Sequence, residues 1–128
     1  MRILLDTHTF IWFIEGNEQL SDAARQLIEE PSNQIFLSVA SQWEMIIKIS
    51  LGKLKLASPF ETLIPKMMRD NDISLLNIAF EQLVALSQLP LYHRDPFDRL
   101  LIAQAITEQC VLISKDAIFT AYPVKLFW

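Results

Sequence analysis

A chain of 128 residues that is 52 % hydrophobic can bury a full core as one domain, so residues 1–128 are read as a single unit. Its one cysteine, Cys110, excludes an internal disulfide framework and any zinc site built on several cysteines. A net charge of −4 lacks the basic footprint of proteins that hold nucleic acid by bulk electrostatics, and no apolar run approaches the roughly 20 residues that span a bilayer. No stretch resembles a signal peptide, so the chain reads as soluble and cytoplasmic, with no membrane partner.

Arg2–Leu5 is a short apolar run that reads as the first strand. Thr7–Glu15 follows as a helix closed by Gly16, and Ser21 caps a second helix from Asp22 to Glu30, stopped by Pro31. Gln34–Val39 is the second strand. Ser41-Gln42-Trp43-Glu44 has the S-x-x-E form of a capping box, opening a helix that runs to Leu51 and Gly52. Ser58-Pro59-Phe60-Glu61 repeats that signature, with proline at the first helical position, for a helix to about Asn71. Ile73–Leu76 is the third strand, and a helix over Ile78–Leu89 follows it. Asp95 caps a further helix with Pro96 at its first position, running to about Gln109. Val111–Ser114 is the fourth strand and Lys125–Phe127 a short fifth. Cys110, in the apolar run Cys110–Ile113, reads as a buried hydrophobe. Strands alternating with helices imply an α/β fold: three α/β/α layers around a central parallel sheet of four to five strands.

In an open parallel sheet, ligands bind beyond the carboxyl ends of the strands. Asp6 directly follows the first strand, Glu44 opens the helix after the second, and Asp116 comes two residues after the fourth. Asp98 begins a helix that runs antiparallel to the fourth strand, which returns it to the same rim. Each acid also has a purely structural reading. Glu44 can close the capping box with Ser41 or pair with Lys48 four residues on. Asp98 can serve the helix dipole, and Asp6 and Asp116 can be turn or cap residues. Together these readings weaken, because clustered carboxylates repel unless a cation intervenes, and a divalent metal is the simplest one. Asp95 is read as an N-cap and Glu81 as a solvent-side acid of its helix's first turn.

The segments Ile3-Leu4-Leu5-Asp6-Thr7-His8, Ser38-Val39-Ala40-Ser41-Gln42-Trp43-Glu44, His93-Arg94-Asp95-Pro96-Phe97-Asp98-Arg99 with the following Leu100–Ala105, and Leu112-Ile113-Ser114-Lys115-Asp116 together resemble the PIN domain. More narrowly, they are similar to the VapC-type toxins of type II toxin–antitoxin pairs. The resemblance covers nearly the whole chain and implies a pocket of Asp6, Glu44, Asp98 and Asp116 that binds Mg2+ or Mn2+ and hydrolyses RNA phosphodiester bonds. Asp6 and Asp98 are read as the main metal ligands, with Asp116 and Glu44 acting directly or through water, and the resemblance implies Thr7 and Ser114 as hydrogen-bonding residues behind the acids. It also implies a protein antitoxin that binds near the first helix, and a homodimer.

Hard oxygen donors without a cysteine or histidine cluster are what magnesium requires. Lys48, Arg94 and Arg99 are candidate RNA contacts, with Lys53 and Lys55 close to Lys48 in sequence. His8, beside Asp6, is read chiefly as a packing or hydrogen-bonding residue, and His93 only as a phosphate contact. The unbroken run Phe10-Ile11-Trp12-Phe13-Ile14 makes a helix apolar on every side, to be covered by the helix from Asp22 or by another chain. Two other readings compete. A receiver-like phosphoacceptor domain needs an aspartate ending the third strand, where this chain has Asn77-Ile78-Ala79. A catalytically silent PIN-like binding module would have kept the fold without the activity.

Overall fold

The computed structural model describes all of residues 1–128. In chain order the elements are β1 (Arg2–Leu5), α1 (Thr7–Glu15), α2 (Asp22–Glu29), β2 (Gln34–Ser38), α3 (Val39–Ser50), α4 (Phe60–Asp70), β3 (Ile73–Leu76), α5 (Phe80–Ser87), α6 (Pro96–Thr107), β4 (Val111–Ile113), a 3-10 turn (Ala117–Ala121) and β5 (Lys125–Phe127). The five strands form one sheet in the order β3-β2-β1-β4-β5, with every pair parallel. This is the α/β architecture expected from the sequence. It differs from the 2-1-3-4-5 order of receiver-type sheets, which removes the phosphoacceptor reading.

Strand alternation sends successive side chains to opposite faces and divides the core in two. Ile3 and Leu5 of β1, Ile35 and Leu37 of β2, and Ile113 of β4 meet α1 to α4 in one cluster that includes Phe10, Ala24, Met45 and Ile64. Leu4 and Leu112 point the other way and pack with Leu101, Ile102, Ala105, Cys110, Phe119 and Tyr122. Cys110 is a free, buried thiol whose pKa burial pushes up, as a structural residue should be.

The apolar helix α1 is covered within the chain. Phe10, Ile11 and Phe13 are buried in the cluster that holds Leu20, Ala24 and Ile28, and Trp12 and Ile14 pack partly against it. Of the two covers open for α1 in the sequence, the core cluster shared with Leu20, Ala24 and Ile28 is the one observed. Large exposed apolar side chains lie instead on α5 and the segment after it (Phe80, Leu83, Val84, Leu91, Tyr92) and on α3 (Trp43, Ile46).

Three helix starts differ from the sequence reading. α3 begins at Val39 because Ser38, not Ser41, is the N-cap: its hydroxyl accepts from the Ala40 N–H at 3.1 Å. Ser41 thus lies inside the helix, and Glu44 closes no capping box. In α4, Pro59 itself is the N-cap, with its carbonyl accepting from Thr62 and Leu63, so Ser58 plays no capping part. α5 is shorter than expected because Ala79 is still extended, and its N–H is taken by the Gln82 side chain at 2.9 Å. No helix is long and apolar enough to cross a membrane.

Candidate metal-binding acid pocket

The chain runs outward from β1 through β2 to β3, then returns to place β4 on the other side of β1. The loops leaving β1 and β4 therefore diverge from adjacent strands, which opens a crevice at the carboxyl edge. Asp6 leaves β1 into this crevice, while Ser114, Lys115 and Asp116 leave β4 into it.

Asp6 also builds the helix that follows. It is the N-cap of α1, and its Oδ1 accepts from the Thr9 N–H at 2.7 Å. Its own N–H donates to the Ile113 carbonyl at 3.2 Å, and the Thr9 hydroxyl donates to the same oxygen at 3.0 Å. Asp6 as a residue is only 6 % exposed. Burial pushes its pKa up, opposed by hydrogen bonds from Ser114 and Thr9. The Ser114 hydroxyl also accepts from the Asp116 N–H at 3.1 Å, so one buried hydroxyl links the first acid to the last. Asp116 is exposed and caps the 3-10 turn through the Ile118 N–H at 3.1 Å.

Glu44, buried on α3, has both oxygens engaged by the protein. Oε1 accepts from the Thr7 hydroxyl at 2.7 Å, and Oε2 pairs with the Lys48 ammonium at 3.1 Å. Thr7 Oγ1 also lies 3.0 Å from Ser41 Oγ. A hydroxyl has one proton, and the carboxylate takes that of Thr7, so Ser41 donates in the second contact. Of the readings open for Glu44, the pairing with Lys48 is the one observed. Lys48 Nζ also sits 3.3 Å from His8 Nε2.

Asp98 is in the opposite condition. Asp95 caps α6, accepting from the Phe97 and Asp98 N–H groups at 2.9 and 3.3 Å, with Pro96 at the first helical position. Asp98 follows in the first turn, where the helix dipole favours an anion. The opposing influences are larger. Burial, then the charges of Asp95, Glu44, Asp6 and Asp116, push its pKa up to about 7. The four acids expected from the sequence thus converge closely enough to act on one another, while Glu81 is exposed on α5.

His93 belongs to this side of the pocket, a placement that sequence reasoning missed. Its Nε2 lies 2.9 Å from Asp98 Oδ2 and 3.9 Å from Asp116 Oδ2, and ligand atoms of the three residues fall within 4.8 Å of one another. The Asp95 N–H approaches His93 Nδ1 at 3.2 Å, and an N–H can only donate, so in the neutral ring the proton sits on Nε2. Nε2 is buried and not aligned on either carboxylate as a full hydrogen bond. Its proton makes it a donor beside Asp98 rather than a lone pair for a cation. The loop that carries His93 is pinned by the buried Tyr122 hydroxyl, which accepts from the Tyr92 and His93 N–H groups at 3.0 and 2.9 Å and donates to the Pro90 carbonyl at 2.7 Å. No sequence periodicity links a loop histidine to a tyrosine 29 residues away.

The donor set fits a hard divalent cation. Asp98 and Asp116 bring carboxylate oxygens within 4.8 Å of each other, Asp6 lies outside that group but acts on Asp98 through its charge, and the burial and like charges that raise the Asp98 pKa are a cost that such a cation offsets. Of the basic residues named as RNA contacts, Arg94 is exposed, whereas Lys48 is held by Glu44. Arg99 donates to the Pro90 carbonyl at 2.8 Å and lies within 3.5 Å of the Leu86 and Leu89 carbonyls, which commits it to the α5–α6 connection. Lys53 and Lys55 are exposed beyond the end of α3.

The PIN domain family profile matches residues 3–125. Among solved structures, the chain is similar to one in VapBC2 from Rickettsia felis bound to a DNA fragment from its promoter, with a TM-score of 0.76, 16 % identity, and 100 % of this chain and 99 % of that one covered. It is similar to a chain of DNA-bound VapBC from Salmonella typhimurium, with a TM-score of 0.69, 16 % identity and coverage of 99 % and 97 %. A chain of a toxin–antitoxin complex from Klebsiella pneumoniae gives a TM-score of 0.66 at 16 % identity, with 98 % and 96 % covered. No curated protein matches the sequence.

Proposed function

The chain belongs to the PIN domain family, and from that premise we propose that it is a metal-dependent endoribonuclease, the toxin of a type II toxin–antitoxin pair. One observation carries this reading above the others. Carboxylates from the ends of β1 and β4 and the start of α6 crowd at the switch point of the sheet, where burial and then their mutual repulsion push the Asp98 pKa up to about 7. A fold does not retain such repulsion for stability, and a divalent cation relieves it.

Asp6, Asp98 and Asp116 would hold Mg2+ or Mn2+. When bound, the cation supplies a Lewis acid that lowers the pKa of water and neutralises charge growing on a scissile phosphate. Ser114 keeps Asp6 and Asp116 in register through its two contacts. Glu44, with both oxygens engaged by Thr7 and Lys48, contributes its charge and a fixed pocket wall rather than a free ligand oxygen. His93 presents an N–H beside Asp98 and limits the directions that carboxylate can take. Arg94, exposed next to His93, is free to meet a phosphate.

The partner reading rests on the VapBC and toxin–antitoxin complexes that share the fold. The exposed apolar side chains of α3 and α5 are surfaces that an antitoxin and a second copy of the chain would cover. Light scattering on the purified protein checks the dimer.

The test is cleavage of a mixed panel of structured RNAs by purified protein, with Mg2+ or Mn2+, with chelator, and with the Asp6→Asn and Asp98→Asn variants. Asparagine keeps the capping oxygen at position 6, so the fold survives that change. Metal-dependent cutting lost with chelator and in both variants is the expected result. Equal cutting by the wild type and Asp98→Asn overturns the site. No cutting of any RNA by the folded protein favours the catalytically silent binding module.

A further inference from the structure

Beside the acid pocket lies a cleft of about 270 Å³ lined by Asp6, His8, Trp12, Lys115 and Asp116. We propose that this cleft is a nucleotide subsite: Trp12 stacks an unpaired base of the RNA, and Lys115 meets the adjoining phosphate. The proposal rests on the ribonuclease reading and says where the strand enters the site.

The arrangement follows from the fold. His8 and Trp12 stand four residues apart on α1, so they share one helix face, and their rings lie 5.8 Å apart. β1 and β4 are neighbours in the sheet, which brings Lys115, just past β4, alongside the start of α1. The Lys115 ammonium lies 5.8 Å from the centre of the Trp12 ring. Trp12 is half-buried and held by an edge contact with Trp128 at 5.9 Å, so the indole is anchored before any ligand arrives. Lys115 is exposed and makes no ion pair, whereas the His8 Nε2 accepts from the Lys48 ammonium 3.3 Å away.

Asp6 and Asp116 line both the cleft and the metal pocket, so the two are continuous. A strand whose scissile phosphate sits at the acids has its next nucleotide within reach of Trp12. The volume is somewhat smaller than that of pockets that enclose a whole drug-sized ligand, which suits one unit of a longer chain. Single-stranded nucleic acid is held by this pairing of an aromatic face with a cation for the backbone. An exposed cation–π contact is weaker than stacking of a base, so Lys115 can leave the indole for a phosphate when a base arrives. Lys48 and Arg99 do not offer this combination because the protein engages them, and Lys55, after α3, lines a different cleft with Phe60 that holds none of the pocket's acids.

The test is fluorescence anisotropy of labelled single-stranded RNA, with Ca2+ in place of Mg2+ to hold the strand while slowing its cleavage. Trp12→Leu should weaken binding roughly tenfold, while Trp12→Phe, which keeps a ring, retains most of it. Lys115→Gln, a change at an exposed side chain that threatens no packing, should lower the slope of log Kd against log salt by about 0.7. The Trp12 effect should vanish on blunt duplex RNA, whose bases are not free to stack. Wild-type affinity in Lys115→Gln with an unchanged salt slope overturns the proposal even if Trp12→Leu misfolds. Dependence on Trp12 and Lys115 for single-stranded DNA alone overturns the assignment to RNA. Loss of RNA cleavage and binding in the wild type itself overturns the ribonuclease reading, a result distinct from a wild type that binds and cuts while the variants match it.

Discussion

The two sides of the acid pocket are built from the same residue types and solve the same electrostatic problem differently. On the α3 side, Glu44 is as buried as Asp6, yet a hydroxyl and an ammonium engage its two oxygens. On the α6 side, Asp98 has a histidine at close range, and burial and then the charges of four other acids push its pKa up to about 7. One carboxylate is neutralised by the protein, and the other is left for something else to neutralise. Membership of an acid cluster therefore does not give its members one role, because the partners on each oxygen decide whether a lone pair is still available.

The sharpest way to break that comparison is Asp98→Asn. The neutral isostere should abolish metal-dependent RNA cleavage and metal binding, yet leave the metal-free protein at least as stable as the wild type at pH 8. The sign follows from linkage. The folded pKa near 7 lies above the ordinary carboxylate value, so the folded chain keeps a proton that the unfolded chain releases above about 4. Stability from this group is full below about pH 4 and is lost as pH rises through 7. The advantage of Asp98→Asn over the wild type in thermal melts should thus grow from pH 5.5 to pH 8, and added Mn2+ should reverse it in favour of the wild type. A constant difference across that window would mean that Asp98 is not held protonated. The same coupling should make Mn2+ affinity, read by calorimetry, fall roughly tenfold per pH unit below 7, since the proton must leave.

His93→Ala and Glu44→Gln sharpen the contrast at the next scale. Removing the donor beside Asp98 should cost about 10- to 100-fold in Mn2+ affinity with little change in thermal stability. Glu44→Gln should do the reverse. It strands the Lys48 ammonium and weakens the contact with Thr7, for a loss of about 1–3 kcal/mol in urea unfolding and only a small change in Mn2+ affinity. If the two variants behave alike in both measurements, the division of the pocket into two sides fails.

The smallest effect belongs to Tyr122→Phe, which leaves the Tyr92 and His93 N–H groups without their acceptor. A loss of about 1 kcal/mol is expected, together with a fall in Mn2+ affinity smaller than that of His93→Ala. An unchanged affinity would show that the His93 loop needs no pin.

Much of the architecture was legible in the chain because it depends on local pattern. Short apolar runs separated by amphipathic stretches specify parallel strands and covering helices, and Gly16 and Asp95 end and begin helices where their backbone and side-chain chemistry require. The convergence of Asp6, Glu44, Asp98 and Asp116 could be inferred as well, because each stands beside the carboxyl end of a strand or at the start of a helix returning there. The capping-box reading of Ser41 failed because two serines compete at that helix start and the one ending the strand, Ser38, caps first. The sequence by itself determined the fold class and which acids share a rim, since both follow from order along the chain. Only the tertiary structure decided which acid is neutralised, that His93 stands beside Asp98, that Arg99 is engaged by carbonyls, and that Lys115 lies over Trp12. Those facts depend on contacts between residues far apart in sequence, whose distances are fixed by packing and carry no periodic signal.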